Sequence, residues 1–192
     1  MNTTRLEAFS DGVLAIIITI MVLELRVPHG TEWSSLAPLW PVFLSYLLSF
    51  VYIGIYWNNH HHMLHVTEQV NGRILWANLH LLFWLSLVPF TTAWVGEHHE
   101  AAVPSAAYGV VLLMCGLAYT ILFRRICAVP GANDRLAAMI GGDTKGLMSL
   151  VLYSTAIILA FVNQWLSDAI YVIVALMWLV PDRRIEHGLA ES

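Results

Sequence analysis

Residues 9–25 read FSDGVLAIIITIMVLEL, and this stretch decides the fold. No charged residue lies between Asp11 and Glu24, so the stretch approaches the roughly 20 mostly apolar residues that a helix needs to cross a membrane. Glu7 and Asp11 precede it, and no small-residue cleavage site follows Glu24, which argues against a cleaved signal peptide. We therefore predict that this stretch is the first membrane helix.

The rest of the chain is also poor in charge. Hydrophobic residues make up 58% and charged residues 11% of the 192 residues, whereas a soluble domain carries about 25% charged residues. We predict an all-α integral membrane protein with six transmembrane helices in a single domain, residues 1–192. Six stretches have the required length and hydropathy: Phe9–Leu25, Leu36–Trp57, Ile74–Val95, Ala106–Phe123, Leu147–Asn163 and Trp165–Val180.

The basic residues indicate the orientation of these helices. If the N-terminus is inside, Arg26 is the one member of the nine Lys and Arg residues that falls outside, whereas Glu32, Glu97 and Glu100 lie in the outer loops. This asymmetry predicts a multi-pass protein of the cell (inner) membrane with both termini in the cytoplasm. The formal net charge of -4 and the lack of a long basic run argue against a nucleic-acid partner.

The first segment has one nearly continuous apolar face. At about 100° per residue, six side chains lie within about 60° of one direction: Phe9, Gly12, Ile16, Thr19, Ile20 and Leu23. Ser10 and Asp11 point away from this face. Periodicity alone leaves open whether the face contacts lipid or protein core, with Ser10 and Asp11 as a helix-start cap, or has a function of its own.

Three motifs, in order, resemble the transmembrane protein 175 family. Its members are potassium channels of endosomes and lysosomes in animals, with shorter prokaryotic relatives. Residues 5–11, RLEAFSD, resemble its RxxxFSD signature, and Trp57-Asn58-Asn59-His60 resembles a Trp-x-x-His segment at the end of its second helix. Asn78-Leu79, followed by residues 87–92, LVPFTT, resembles its third helix. The resemblance covers about the first half of the chain, and the second half agrees in hydropathy alone.

The resemblance implies a homotetramer without a re-entrant pore loop, in which the first helix of each subunit lines a central K⁺ pore. It implies no enzyme activity and no cofactor, only permeating K⁺ and a lipid bilayer around the protein. Counted on from Asp11, the narrowest part of the pore falls on Ile16, Thr19 and Leu23, with Ile20 beside them. These residues belong to the apolar face found independently from helical periodicity. A hydrophobic constriction of this kind gates by dewetting.

The resemblance also implies a polar network that positions the first helix. Its members are Arg5, Phe9, Ser10, Asp11, Trp57, His60 and Asn78. A buried carboxylate needs a partner, and we expect His60 or Arg5 to pair with Asp11.

A His-rich membrane metalloenzyme is one alternative function. His61 and His65 are spaced i, i+4 and share a helical face, as metal ligands can. However, His98 and His99 are predicted on the outer side, and His80 lies within a membrane segment. These residues cannot converge on one metal, so we predict no metal site and a titratable interfacial segment instead.

A small secondary carrier for a cation or metabolite is the other alternative. Such a carrier would need an ionisable residue within the membrane or paired broken helices. The middle of every predicted segment lacks Asp, Glu, Lys and Arg, and we expect Pro41 and Pro89 at helix ends rather than midway. The pattern therefore favours a passive pore over a coupled carrier.

Overall fold

The computed structural model describes residues 3–65, 67, 70–129 and 144–179. Within these ranges all regular structure is helical, as predicted. The elements are α1 (Thr3–Leu23), a 3₁₀-helix (Trp33–Leu39), α2 (Trp40–His65), α3 (Gly72–Ser86), α4 (Val88–Glu97), α5 (Ala102–Cys127), α6 (Thr144–Ala160) and α7 (Gln164–Leu179).

Four helical stretches are long and apolar enough to cross a membrane, judged by length and composition. They are Thr3–Leu23, Trp33–Leu64, Gly72–Glu97 and Ala102–Cys127. The shorter apolar helices α6 and α7 correspond to the last two predicted segments. Each of the six segments thus overlaps a helix or two consecutive helices. The predicted end of the sixth segment, Val180, and the basic residues Arg135, Arg183 and Arg184 lie outside the described residues.

The third predicted segment is not a single helix. α3 ends at Ser86 and α4 begins at Val88. Pro89, the second residue of α4, has no backbone N–H to donate to the carbonyl four residues earlier, so the helical hydrogen-bond ladder cannot continue through it. The expectation that Pro89 lies at a helix end is therefore confirmed, although this helix end falls within the predicted third segment.

Two buried clusters hold the helices together. α1 packs on α2, α3 and α4, while α5 contacts α3, α4, α6 and α7. The first cluster joins α1, α3 and α5 through aliphatic residues, among them Leu14, Ile17, Ile74, Leu81 and Leu122. The second cluster, between α2, α5, α6 and α7, is built around four tyrosines: Tyr52, Tyr108, Tyr153 and Tyr171. The first cluster is the one that fixes the orientation of α1.

α4 and α2 approach each other closely at Gly96. A Cβ atom on Gly96 would lie 2.9 Å from the Cα atom of Val42. Small residues at such contacts let helix backbones pack tightly in a membrane, where van der Waals packing replaces the hydrophobic effect as the driving force. Gly96 is therefore a packing requirement of the α2–α4 pair.

We expect Gly96→Ala to lower the melting temperature of the purified protein in detergent. The added methyl group would meet backbone rather than a flexible side chain, and overpacking of this kind costs about 1–3 kcal/mol. Gly54→Ala is the matched control, because a Cβ atom at Gly54 has nothing within 4 Å. Equal melting temperatures for the two variants would contradict the close approach.

Candidate functional site

α1 has one buried face and one exposed face. Leu14, Ile17 and Met21 are buried against neighbouring helices. On the other side, Ile16 is 60% and Leu23 is 75% exposed. The exposed side contains every residue of the predicted apolar face: Phe9, Gly12, Ile16, Thr19, Ile20 and Leu23. The described part of the chain therefore leaves this face uncovered along the whole helix.

Thr19 is the one hydroxyl on this apolar face. Its Oγ1–H donates to the carbonyl of Ala15 at 2.8 Å. Hydroxyls in membrane helices commonly bond to the carbonyl one turn earlier in this way. Because the hydrogen is used inside the helix, the oxygen presents its free lone pairs outward. The face is thus an aliphatic surface with a single outward-facing acceptor.

A buried chain of hydrogen bonds joins α2, α3 and α1. His60 Nε2 lies 2.7 Å from Asn78 Oδ1, and because an amide oxygen only accepts, His60 is the donor. Asn78 Nδ2 donates to Ser10 Oγ at 3.0 Å. Ser10 Oγ in turn donates to the carbonyl of Leu6 at 2.9 Å. The structure thus brings together three of the residues predicted for the polar network, Ser10, His60 and Asn78.

These three side chains are almost completely buried. Ser10 and Asn78 are 0% exposed, and His60 is 2% exposed. A buried polar group without a hydrogen bond costs about 1–3 kcal/mol, so each of these groups depends on the others. The chain of bonds therefore fixes the height and rotation of α1 relative to α2 and α3.

A second set of polar contacts joins the same part of α1 to α2. Trp57 Nε1–H donates to Asp11 Oδ1 at 3.0 Å. One helical turn away, His61 Nδ1 lies 2.8 Å from Glu7 Oε1. The rings of Trp57 and His61 are stacked, with centroids 6.1 Å apart and an interplanar angle of 22°. Two successive turns of α2 are therefore hydrogen-bonded to two successive turns of α1.

The predicted partner of Asp11 is wrong in this structure. Asp11 accepts from Trp57, whereas His60 is bonded to Asn78. Arg5 and Phe9 are exposed and lie outside the polar network of the described residues. The Nε2–H of His60 is used by Asn78 Oδ1 on α3, so Asp11 is bonded to the Trp57 indole instead.

The sequence analysis did not identify Glu7 and His61 as members of the site. Glu7 falls on a variable position of the RxxxFSD signature, and His61 follows the Trp-x-x-His segment. The available signal was spacing, since Glu7 and Asp11, like Trp57 and His61, are i, i+4 pairs that share a helix face. Two such pairs on packed helices can meet.

Comparison with known proteins identifies the family. A sequence model described as "Endosomal/lysosomal potassium channel TMEM175" matches residues 5–89. A potassium channel of Chryseobacterium sp. (strain P1-3) is 53% identical over 192 residues, covering 100% of both chains. The crystal structure of a lysosomal potassium-selective channel TMEM175 homolog from Chamaesiphon minutus has a TM-score of 0.81 at 32% identity, covering 93% of this chain and 96% of that chain. The chain belongs to the TMEM175 family.

A more distant TMEM175 relative is larger. The endosomal/lysosomal proton channel TMEM175 of Homo sapiens is 34% identical over 96 residues, which are 43% of this chain and 19% of that one. Residues 5–89, which the TMEM175 model matches, contain the whole hydrogen-bonded network around Ser10 and Asp11.

Family membership confirms the resemblance seen in the three motifs and sets the metalloenzyme alternative aside, because the family is one of potassium channels and not of enzymes. Among the described residues, no group of three His, Cys, Asp or Glu side chains is arranged to hold a metal ion. His60 and His61 instead bond to Asn78 and Glu7.

We expect Asn78→Ala to lower the free energy of unfolding by about 1–3 kcal/mol, because it leaves the buried His60 Nε2–H without an acceptor. Unfolding of the purified protein in detergent measures this loss. Asn59→Ala is the matched control, since Asn59 is only half-buried and donates to the carbonyl of Ile55 in its own helix. A loss no greater than that of Asn59→Ala would show that the buried chain does not hold α1.

Proposed function

We propose that this protein is a potassium channel of the cell membrane, assembled as a homotetramer around four copies of α1. The observation that carries the proposal is the uncovered face of α1, with Ile16, Ile20 and Leu23 exposed around the Thr19 hydroxyl. The Chryseobacterium relative, identical at 53% of positions, is named a potassium channel, and the Chamaesiphon homologue is described as potassium-selective.

An assembly of four chains would bring the four uncovered faces of α1 together. Around a four-fold axis, the aliphatic side chains of Ile16 and Leu23 meet and form a narrow apolar passage. Water leaves such a passage when it is tight, which blocks ions, and returns when the helices move apart. Opening therefore corresponds to a splaying or rotation of α1 in each subunit.

Thr19 provides the hydroxyl group within this apolar passage. A bare charge in a medium of dielectric constant about 4 costs tens of kcal/mol by the Born estimate, so K⁺ crosses the aliphatic layers largely hydrated. The outward lone pairs of four Thr19 hydroxyls replace a part of that hydration shell. Partial replacement by flexible hydroxyls discriminates poorly between ions of similar size. We expect modest selectivity for K⁺ over Na⁺.

The charged residues at the two ends of α1 are consistent with an orientation that has both termini in the cytoplasm. Arg26, just after α1, forms an ion pair with Glu97, the last residue of α4. This pairing neutralises the one basic residue expected outside and ties the outer end of α1 to α4. The Asp11–Trp57 and Glu7–His61 contacts hold the inner end of α1.

The proposal predicts that Ile16→Asn increases K⁺ flux through the channel reconstituted in liposomes. A polar ring at the constriction favours wetting, so we expect flux at least several-fold above that of the unmodified protein. Val22→Asn is the matched control, because Val22 is also exposed but lies about 120° away from Ile16 around the helix. Equal effects of the two variants would contradict a pore lined by this face.

Reversal potentials in K⁺ and Na⁺ gradients test the role of Thr19. We expect Thr19→Val to reduce the preference for K⁺, since it removes the hydroxyl but keeps the shape. Asp11→Ala should instead reduce the yield of tetramer and leave the ion preference of the surviving channels unchanged, because Asp11 contacts Trp57 away from the exposed face. Flux that saturates at carrier-like rates and requires a coupled ion would favour the carrier alternative.

A further inference from the structure

Three exposed arginines lie at one end of the α3–α5 helix pair, and we call them the arginine surface. Arg73 is the second residue of α3, and Arg124 and Arg125 lie in the last turn of α5. α3 packs against α5. The span Gly72–Glu97 and α5 each contain 26 residues. Because only the short connection 98–101 joins them, they run in opposite directions, and the start of α3 lies at the level of the end of α5.

The charge of the arginine surface is not neutralised by the described residues. None of its three side chains forms an ion pair among them. Glu7 and Asp11, the described acidic residues at this end of the bundle, are bonded to α2. A guanidinium group binds a phosphate through two parallel hydrogen bonds, which are stronger than bonds between neutral groups. The arginine surface is therefore suited to a phosphate-containing ligand.

An exposed apolar stripe leads away from the arginine surface on each helix. On α3, Trp76 follows Arg73 by three residues and is 76% exposed, and Phe83 is exposed two turns further along. On α5, Ile121 precedes Arg124 by three residues and is also exposed. Residues three apart share a helix face. Each helix therefore presents apolar side chains for most of its length and an arginine at its end, which matches the acyl chains and the headgroup of a phospholipid.

The division of the arginines between two helices favours a lipid with two phosphates. The axes of packed helices lie about 8–10 Å apart, so Arg73 and the Arg124–Arg125 pair begin from separate points on the surface. A headgroup that carries two phosphates on one glycerol can place a phosphate beside each helix and form charge-assisted bonds at both. Basic sites between membrane helices on the cytoplasmic side bind lipids of this class.

We propose that the arginine surface binds an anionic phospholipid with two phosphates, such as cardiolipin. Arg73 pairs with one phosphate, and Arg124 and Arg125 pair with the other. The Trp76 indole lies at the level of the headgroup, as interfacial tryptophans do, and the acyl chains lie along the exposed stripes of α3 and α5. Only the assignment to the inner leaflet rests on the proposed function, through its topology, and binding can be measured without ion conduction.

The test is a titration of the purified full-length protein in detergent with cardiolipin, followed by native mass spectrometry. Phosphatidylglycerol, with one phosphate, and phosphatidylcholine, whose phosphate is balanced by choline, are the chemical controls with the same acyl chains. We expect saturable binding of cardiolipin, about fivefold weaker binding of phosphatidylglycerol and no saturable binding of phosphatidylcholine. Inorganic phosphate, which has the charge without the acyl chains, should not compete.

The variants Arg73→Gln and Arg125→Gln each remove one charge, the first from α3 and the second from α5. Both side chains are exposed, so the bundle should fold normally. We expect each variant to bind cardiolipin about fivefold more weakly. Arg26→Gln is the matched control, because it removes the same charge from the opposite end of the bundle, where Arg26 pairs with Glu97. It should bind cardiolipin normally.

Three results would overturn the proposal: no saturable binding of cardiolipin, equal affinity for either control lipid, or equal affinity in the Arg26→Gln variant and the two variants of the arginine surface. Competition by inorganic phosphate at the same concentrations would likewise overturn the assignment to a membrane lipid. K⁺ flux of the same preparations in liposomes is a separate readout. Binding without flux would contradict the proposed channel function and leave the lipid site intact, whereas flux without binding would remove the lipid site alone.

Discussion

Lipid offers no hydrogen-bond partners, so every polar group within the bundle must be satisfied by the protein itself. The described residues meet this constraint: no buried side-chain nitrogen or oxygen lacks a partner. Most hydroxyls donate to the carbonyl one turn earlier in their own helix, as Ser45 and Ser154 do. The few that reach another helix are concentrated in two places, and these places determine which helices are fixed to each other.

One of these places holds α1, and its contacts are unevenly distributed along the helix. Directional bonds secure its N-terminal half through Glu7, Ser10 and Asp11, and an ion pair at Arg26 follows its C-terminal end. The stretch between them packs only through aliphatic contacts such as those of Ile17. Such contacts tolerate small rotations, because they change little in energy when one aliphatic neighbour replaces another. The segment proposed to line the pore is thus the part of α1 that can turn most easily.

The second place lies where α5 meets α2, α4 and α7. Tyr108 Oη lies 2.9 Å from Ser49 Oγ, which lies 2.7 Å from Thr92 Oγ1, joining α5, α2 and α4. Tyr171 also donates to the carbonyl of Ser105. These bonds connect α5 to α2, α4 and α7, away from the exposed face of α1.

Hydropathy was sufficient to predict the helices, because the bilayer demands long apolar stretches whatever the tertiary contacts are. Helical geometry alone also predicts that Ile16 and Leu23 share one side of α1, whereas the exposure of that side depends on how the other helices pack. The partner of Asp11 could not, because Trp57 and His60 lie one turn apart and only the packing of α3 decides which ring reaches α1. The helix break at Pro89 was missed because hydropathy continues through it without a change.

The hydrogen-bond chain from His60 to the Leu6 carbonyl has a consequence for proton movement. All of its donors point in one direction, and an amide occupies its centre. A Grotthuss relay requires each link to accept a proton on one side and release another on the opposite side, then to reset. The Asn78 amide cannot do this, because its NH₂ group does not give up a proton at physiological pH. The chain therefore holds α1 in position without forming a proton path between the His60 imidazole and the α1 backbone.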